Sequence, residues 1–402
     1  MSNILFLVGV PDAHVERTLK RAKELNIRVI VVDNKEKLKA FEAKMSNAYK
    51  TAVVNYKNYE ELYETFNKFH SEEEIKMILS FKEEALLNTA KIAKLFNLKS
   101  VPPEVVEISI SKYQTRLLLE ENGILSPKFC LCKTYEELAV FWEKVKAPII
   151  LKPDNLQGSV GIYKVTNKEE LYQNFLDCLK VSNAEYILAE EFIEGKEVSI
   201  EAMVFKSRVE VFGVTEKLLY PGTFIESGHI TPYEMEKYNE SDIKNLVTQI
   251  CQAMKINIGP LHIEVFITEN GLVVGEIHTR YGGDNITTIT ELSLNTDITS
   301  PLMADLANLD YSYQKKRVTN YVAIRFFDIE MGKIQSVEGI EKIKTNPNVI
   351  DYSLNFSIGD NIHTIKSSFD RPGWFIVKGK DKEELFENIE ECMTDLKVVT
   401  MA

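Results

Sequence analysis

Cysteine is sparse in this chain: five in 402 residues, Cys130, Cys132, Cys178, Cys251 and Cys392. An odd, scattered set offers no disulfide framework. Cys130-Leu131-Cys132 lacks both CxxC spacing and a second half, which argues against structural zinc. Long apolar runs are missing too, so none approaches the ~20 residues of a membrane span. The first residues, Met1-Ser-Asn-Ile-Leu-Phe-Leu-Val, have no basic flank and no small-residue cleavage site, so no leader is expected. The setting these absences imply is reduced and cytoplasmic, without membrane contact. Basic charge is also in deficit. A formal net charge of −12 disfavours nonspecific binding of nucleic acid, and a polyanionic ligand such as a nucleotide would require a local basic cleft. The chain has no internal repeat and no low-complexity segment.

What is present is an ordinary globular composition, 45% hydrophobic and 27% charged, at a length that suggests about two to four domains. Residues 4–8 form a buried-strand pattern, 13–25 an amphipathic helix and 28–32 the next strand, together a βαβ unit. Its first loop, Gly9-Val-Pro-Asp12, is not the GxGxxG fingerprint, so no dinucleotide site follows from it. A strand at 76–80 and a helix at 83–96 complete this first α/β region before Val101-Pro-Pro103. A helix at 111–122 ends at Gly123. Next come a helix at 136–144, a strand at 148–152, a strand at 162–165, a helix at 168–179 and a strand at 186–193. Strands at 197–205 and 208–215, a loop over 223–232 and a helix at 241–255 lead to a hairpin, followed by a helix at 286–294. From residue 320 short strands (321–327, 349–356, 374–378) and a last helix (382–396) make an α+β tail.

Several stretches carry chemistry. Lys152 ends a strand and precedes Gly158-Ser159-Val160-Gly161. A lysine point charge and a small-residue loop whose N–H groups reach oxygens can hold phosphates, although a plain polar hairpin loop has the same composition. The segment Glu190-Glu191-Phe192 to Glu197 can offer backbone groups to a purine edge and a carboxylate to ribose hydroxyls, or be an acidic surface turn. The 223–232 loop holds Glu226 and His229, the latter a candidate phosphoryl contact or proton relay. Arg280 can neutralise a transferring phosphoryl group or sit in an ion pair, and Gly282-Gly283 lets backbone approach a ligand.

The hairpin is the most informative stretch. Strands flank Asn270-Gly271, with Glu264 on one and Glu276, His278 and Arg280 at period two along the other. A three-residue loop, Glu269-Asn270-Gly271 with Gly271 left-handed, sets Thr268 opposite Leu272 and Glu264 opposite Glu276. A two-residue turn puts the carboxylates on opposite faces. Opposed like charges need a cation between them, and the expectation is the longer loop with a hard divalent ion, Mg²⁺. His262 should share the face of Glu264, whereas His14, His70 and His363 look like bystanders.

The order of these pieces resembles the ATP-grasp superfamily of carboxylate–amine ligases over nearly the whole chain, and most closely its L-amino-acid ligase group. The resemblance implies a multidomain α/β and α+β chain. Residues 1–106 would be an N-terminal βαβ (pre-ATP-grasp) domain, 107–319 a two-lobed ATP-grasp module with its small lobe at about 133–195, and 320–402 a C-terminal α+β domain. It implies that Lys112, after Ser111, and Lys152 reach ATP phosphates under the Gly158–Ser159 loop, that Glu190, Glu191 and Phe192 read adenine, and that Glu197 holds ribose. Glu264 and Glu276 would bind Mg²⁺, two ions in all. Where the family has Glu-Ile-Asn-x-Arg-x-Gly-Gly, this chain has Glu276-Ile-His278-Thr-Arg280-Tyr-Gly282-Gly283. His278 thus stands where an asparagine is often a third metal ligand; imidazole is a softer donor than Mg²⁺ selects, so His278 would bind a second ion through nitrogen or instead contact phosphate. Glu226, His229, Arg280, Gly282 and Gly283 would face substrate, with Arg280, His229 and Lys152 acting in catalysis.

The implied reaction makes an acyl phosphate from ATP and a carboxylate, then an amide with an amine, one substrate being an amino acid. Its partners are small molecules or a carrier-bound amine. A homodimer is the general expectation. Biotin carboxylase-like carboxylation is an alternative. A non-catalytic ATP-binding module is another, against which stands the presence of both lysines, both glutamates and the arginine together.

Overall fold

Alternation along the first strand sets up two packing faces. In the computed structural model, which describes residues 3–146, 148–182 and 184–401, Ile4, Phe6 and Val8 of β1 (Asn3–Val8) point to one side and Leu5 and Leu7 to the other. Met1 and Ser2, part of the leader reading, lie outside the described residues. β2 (Ile27–Asp33), β3 (Lys50–Val53) and β4 (Met77–Ser80) complete a parallel sheet ordered β3-β2-β1-β4. Both faces are apolar because both are covered. One packs on Leu62 and Phe66 of the helix Tyr59–Glu72 and on Ala85 and Ile92 of Glu83–Leu95. The other joins Met203, Phe205, Phe212, Tyr281 and Leu302 from the rest of the chain in one core. Residues 50–53 and 59–72 carried no expectation. β3 is a half-exposed edge strand of four residues, too short for a pattern.

Residues 129–191 make a separate small sheet from β5 (Phe129–Cys132), β6 (Ile149–Lys152), β7 (Tyr163–Val165) and β8 (Ile187–Glu191), ordered β5-β8-β6-β7 and covered by the helices Tyr135–Val145 and Leu171–Val181. Next come β9 (Lys196–Phe205), β10 (Arg208–Leu219), β11 (Glu226–Thr231), β12 (Gly259–Thr268) and β13 (Gly271–His278). The expected loop over 223–232 is therefore largely a strand. Ser227 to Thr231 are buried between neighbours on both sides, and pairing with β10 and a later strand overrides the polar look of Glu-Ser-Gly-His.

The tail contributes β14 (Tyr321–Phe326), β15 (Gly332–Glu338), β16 (Val349–Leu354), β17 (Asn361–Ile362), β18 (Gly373–Gly379) and β19 (Lys397–Met401). Its main strands extend the large sheet, whose order is β13-β12-β9-β10-β11-β14-β18-β16; β17-β15-β19 form a small separate sheet. The expected boundary after residue 319 does not interrupt the large sheet, since β11 pairs with β14 from Gly228↔Arg325 to Thr231↔Val322.

The first domain is tied to the helix Ile286–Leu294 by polar contacts. Glu291 of that helix, buried, receives Arg21 at 2.7 and 3.1 Å and Arg17 at 3.3 Å. Beside them His14 Nδ1 meets the Arg17 guanidinium at 2.6 Å and the Thr288 hydroxyl at 3.1 Å. Burial, reinforced by the Arg17 charge, pushes the His14 imidazole down to about 3, so it is neutral in the fold. The unfolded chain takes up a proton below about 6.5 that the folded chain refuses until about 3, so this contact loses stability as pH falls through that window. Denaturant titrations should show wild type losing stability relative to His14→Gln between pH 6.5 and 4, by no more than ~1.4 kcal/mol per pH unit; parallel curves would exclude the effect.

Candidate active site

The opposed carboxylates come from a register that the turn alone does not produce. Thr268 pairs with Gly271, so the hairpin loop is the two residues Glu269 and Asn270. Continued without interruption, that register sets Glu264 against Gly275. A bulge at Gly275 shifts it by one, giving Val265↔Val274 but Glu264↔Glu276. The three-residue loop is thus wrong and the shared face is right. Gly271 has φ +142° rather than a left-handed helical value. Glycine suits the bulge because a Cβ at 275 would stand 3.2 Å from the Glu264 carbonyl oxygen.

Cations hold both carboxylates ionised. Glu264 lies 3.0 Å from Lys217 Nζ and 3.6 Å from His262 Nε2; Glu276 lies 3.7 Å from Lys112, 3.6 Å from Lys152 and 3.3 Å from His278 Nε2. Burial opposes ionisation of both, and these neighbours outweigh it, keeping each well below the usual carboxylate range. Burial also lowers His262, but Glu201 at 2.8 Å, with Glu264, raises it to about 9. Among the described residues no three His, Cys, Asp or Glu side chains converge as a ready-made metal cage. Glu264 and Glu276 instead offer two ionised oxygen donors on one face of a cavity, a set that fits a hard divalent ion. His278 is engaged with Glu276 and, at 3.4 Å, with Glu83.

The two expected lysines arrive from different elements. Ser111 caps the helix Lys112–Glu121, and its hydroxyl donates to Asp154 at 2.8 Å while Asp154 accepts the Tyr113 N–H at 2.7 Å. This fixes Lys112, whose Nζ donates to the Leu156 carbonyl at 2.9 Å. Lys152 ends β6 and bonds Glu190 at 2.9 Å; Arg116, buried, takes the other Glu190 oxygen at 2.8 Å. The Glu190 side chain is thus a counter-ion for two cations rather than a group facing a base. The Glu191 and Phe192 N–H groups donate to the carbonyls of Lys128 and Pro148. Gly158 and Gly161 (φ +69° and +72°) carry the loop between β6 and β7, and the Ser159 hydroxyl donates to the Phe224 carbonyl.

Glu197, on β9, bonds Lys217. Burial, together with the nearby Glu264 charge, pushes its carboxyl up to about 7 despite that lysine. Arg280 donates through Nε to Glu83 at 2.6 Å, so the ion-pair reading holds in this state, with the partner supplied by the first domain. Burial opposes the Glu83 charge, and His278 and Arg280 bring that carboxyl down to about 2. Gly282 lies where a Cβ would be 2.9 Å from His262 Nδ1. Glu226 accepts the Ser368 hydroxyl at 2.7 Å, and His229 Nε2 lies 3.2 Å from Asp284. All sixteen sequence-selected residues line one cavity of about 1140 Å³, with Lys112, Lys152, Glu197, His229, Glu264, Glu276, Arg280 and Gly283 in its wall.

Sequence reasoning missed Lys217, Asp154, Arg116, Glu83, Asp284 and Arg371. Lys217 had a faint signal, a lysine at period two after Thr215 in a strand pattern. Glu83 looked like an ordinary acidic first turn of a helix, and Arg371 belongs to no pattern at all.

The comparisons agree with this architecture. Residues 19–99 match the ATP-grasp N-terminal domain, 145–289 the ATP-grasp domain and 325–401 the L-amino acid ligase C-terminal domain 2. The chain is an ATP-grasp protein. Within that class it is a ligase, similar to the L-arginine-specific L-amino acid ligase of Bacillus subtilis, with 25% identity over 300 residues, 72% of each chain. In fold it is similar to the L-amino acid ligase of Bacillus licheniformis, with TM-score 0.85, 22% identity and coverage of 100% and 99% of the two chains. It is also similar to N5-carboxyaminoimidazole synthetase from Staphylococcus aureus, solved with ADP, with TM-score 0.74, 16% identity and coverage of 98% and 96%. ATP with Mg²⁺ is the nucleotide and metal of this class. No helix among the described residues is long and apolar enough to cross a membrane.

Lys217 neutralises Glu264, as Lys112 and Lys152 neutralise Glu276. Lys217→Ala should cut ATP-dependent turnover by on the order of 100-fold, the scale of losing one charge-stabilising donor, with the far-ultraviolet spectrum retained; turnover within a few-fold of wild type would remove Lys217 from the site.

Proposed function

We propose that this ligase joins a carboxylate to an amine through an acyl phosphate, releasing ADP and phosphate, with an amino acid as one substrate. The observation that carries the reading is the opposition of Glu264 and Glu276 on one cavity wall, with Lys112, Lys152 and Lys217 converging on them and Arg280 and His229 on the same cavity. Glu264 and Glu276 would hold Mg²⁺, two ions being the proposed number, with His278 steadying Glu276. The metal, when bound, supplies charge neutralisation for phosphoryl transfer.

The protein's own groups do the rest. Lys112, Lys152 and the Gly158–Ser159 loop hold the ATP phosphates, the Glu190–Phe192 main chain borders the adenine while the Glu190 carboxylate stays with Lys152 and Arg116, and Glu197 takes the ribose. A substrate carboxylate oxygen attacks the γ-phosphorus, the bond to the ADP oxygen breaks, and Arg280 offsets charge on the transferring group. For that task Arg280 must exchange part of its Glu83 contact for substrate. Gly282 and Gly283 let backbone approach the acyl group, and Glu226 and His229 face the substrates. Closure of the glycine loop protects the acyl phosphate from water. The acceptor is a free amine in this reading, and a carrier-bound amine is the arm against which it is tested.

Purified protein given ATP should release ADP only with Mg²⁺, a carboxylate and an amine together; AMP and pyrophosphate as products, or release supported by bicarbonate without an amine, would overturn the reading. Glu276→Ala should abolish that release with circular dichroism unchanged. His229→Ala should lower kcat by about 100-fold, the usual scale of a lost proton-transfer group, with ATP affinity little altered, and an unaltered kcat would make His229 a bystander.

A further inference from the structure

His229 ends a chain of contacts through Asp284 to Arg371, two residues that the reaction outlined above does not use. Arg371 belongs to the segment between β17 and β18, remote in sequence from the rest of the site, and its guanidinium grips Asp284 with two bonds of 2.6 and 2.7 Å. Its Nε donates to the Ser368 carbonyl, Nη1 also reaches the Glu226 carbonyl, and the group lies 3.6 Å from the Phe326 ring centre. Among the described residues four of its five N–H donors are committed, so Arg371 is built to hold Asp284 rather than to take a substrate carboxylate. Asp284 has a left-handed backbone, φ +48°, a conformation that aspartate adopts at some cost. Its carboxylate is held through both oxygens by Arg371.

His229 Nε2 lies 3.2 Å from Asp284 Oδ2, the oxygen that Arg371 Nη1 also holds. Burial opposes the Asp284 charge, but the His229 and Arg371 bonds prevail and keep the carboxyl ionised. An ionised carboxylate only accepts, so Nε2 must carry the hydrogen and neutral His229 keeps its lone pair on Nδ1. Nδ1 is buried and has no hydrogen-bond partner among the described residues, on a side chain only 4% exposed that lines the cavity. A buried nitrogen left without a partner costs free energy unless a ligand supplies one.

We infer that Asp284 and Arg371 are positioning residues for the second half of the reaction: they fix His229 in the tautomer whose Nδ1 accepts a proton from the attacking amine. The amine nitrogen attacks the acyl carbon, a C–N bond forms, and the C–O bond to phosphate breaks with its electron pair on the phosphate oxygen. One N–H proton passes to Nδ1, giving an imidazolium that Asp284 stabilises through Nε2–H, and then leaves to solvent. Formation of the acyl phosphate needs no such base, because the attacking carboxylate is already an anion.

This inference rests on the ligase reading and is separable from it. The full chain is incubated with ATP, Mg²⁺ and the twenty common L-amino acids, with and without hydroxylamine, and amides and hydroxamates are both quantified by mass spectrometry. Hydroxylamine is uncharged near neutral pH and traps an acyl phosphate without a base. Asp284→Asn and Arg371→Lys should each lower amide formation by about 10- to 100-fold while hydroxamate stays within about threefold of wild type, a split expected of a lost proton-transfer group. Retained hydroxamate also shows that the variants fold. Asp284→Asn should add little to His229→Ala, as for residues acting as one unit. Equal loss of both products, or additive effects in the double variant, overturns the inference and leaves the ligase reading intact. No product of either kind from wild type overturns both.

Discussion

The constraint on which the site depends is the repulsion between Glu264 and Glu276. The two carboxylates face each other across β12 and β13, partly buried, where like charges are costly. They stay ionised because Lys112, Lys152, Lys217, His262 and His278 surround them, each delivered by a different strand or helix. The cation shell in turn has its own counter-ions: Glu190 for Lys152 and Arg116, Glu201 for His262, Glu197 for Lys217. This network gathers basic side chains at the cleft of a chain of net −12, where they can meet a polyanion.

Each outlying domain reaches into this network through one charged side chain. From the first domain Glu83 holds Arg280 and touches His278. From the tail Arg371 holds Asp284, which holds His229. The first domain restrains the arginine proposed for phosphoryl transfer, and the tail restrains the histidine proposed for amine attack. The tail does so by lengthening the large sheet beyond β11, so its position is coupled to β10 and β11, which carry Lys217 and His229. The same segment meets the glycine loop, with the Ser368 N–H donating to the Gly158 carbonyl.

Gly275 shows how a single residue decides a site. With the two-residue loop that Glu269 and Asn270 make, regular pairing sends Glu276 away from Glu264. The bulge returns it. Turn composition had indicated a shared face by another route, a longer loop, because opposed charges demanded it. The chemical requirement was correct and the mechanical means was not, since bulges follow from sheet twist and neighbours rather than from local sequence.

What the sequence by itself determined is local. Period-two and period-three-to-four patterns placed the long strands and helices, as in residues 4–8, 197–205 and 286–294; Lys152, Glu264, Glu276 and Arg280 were legible from their spacing, and Lys112 from the resemblance to the ATP-grasp superfamily. Only tertiary structure decided the rest. The 226–231 segment became a strand because two neighbours supplied its hydrogen bonds. Lys217, Glu83, Asp284 and Arg371 became parts of the site because packing brought together groups as much as 197 residues apart. A charge reports its type in the sequence, but its partner, and therefore its energy and its role, is set by distance in the fold.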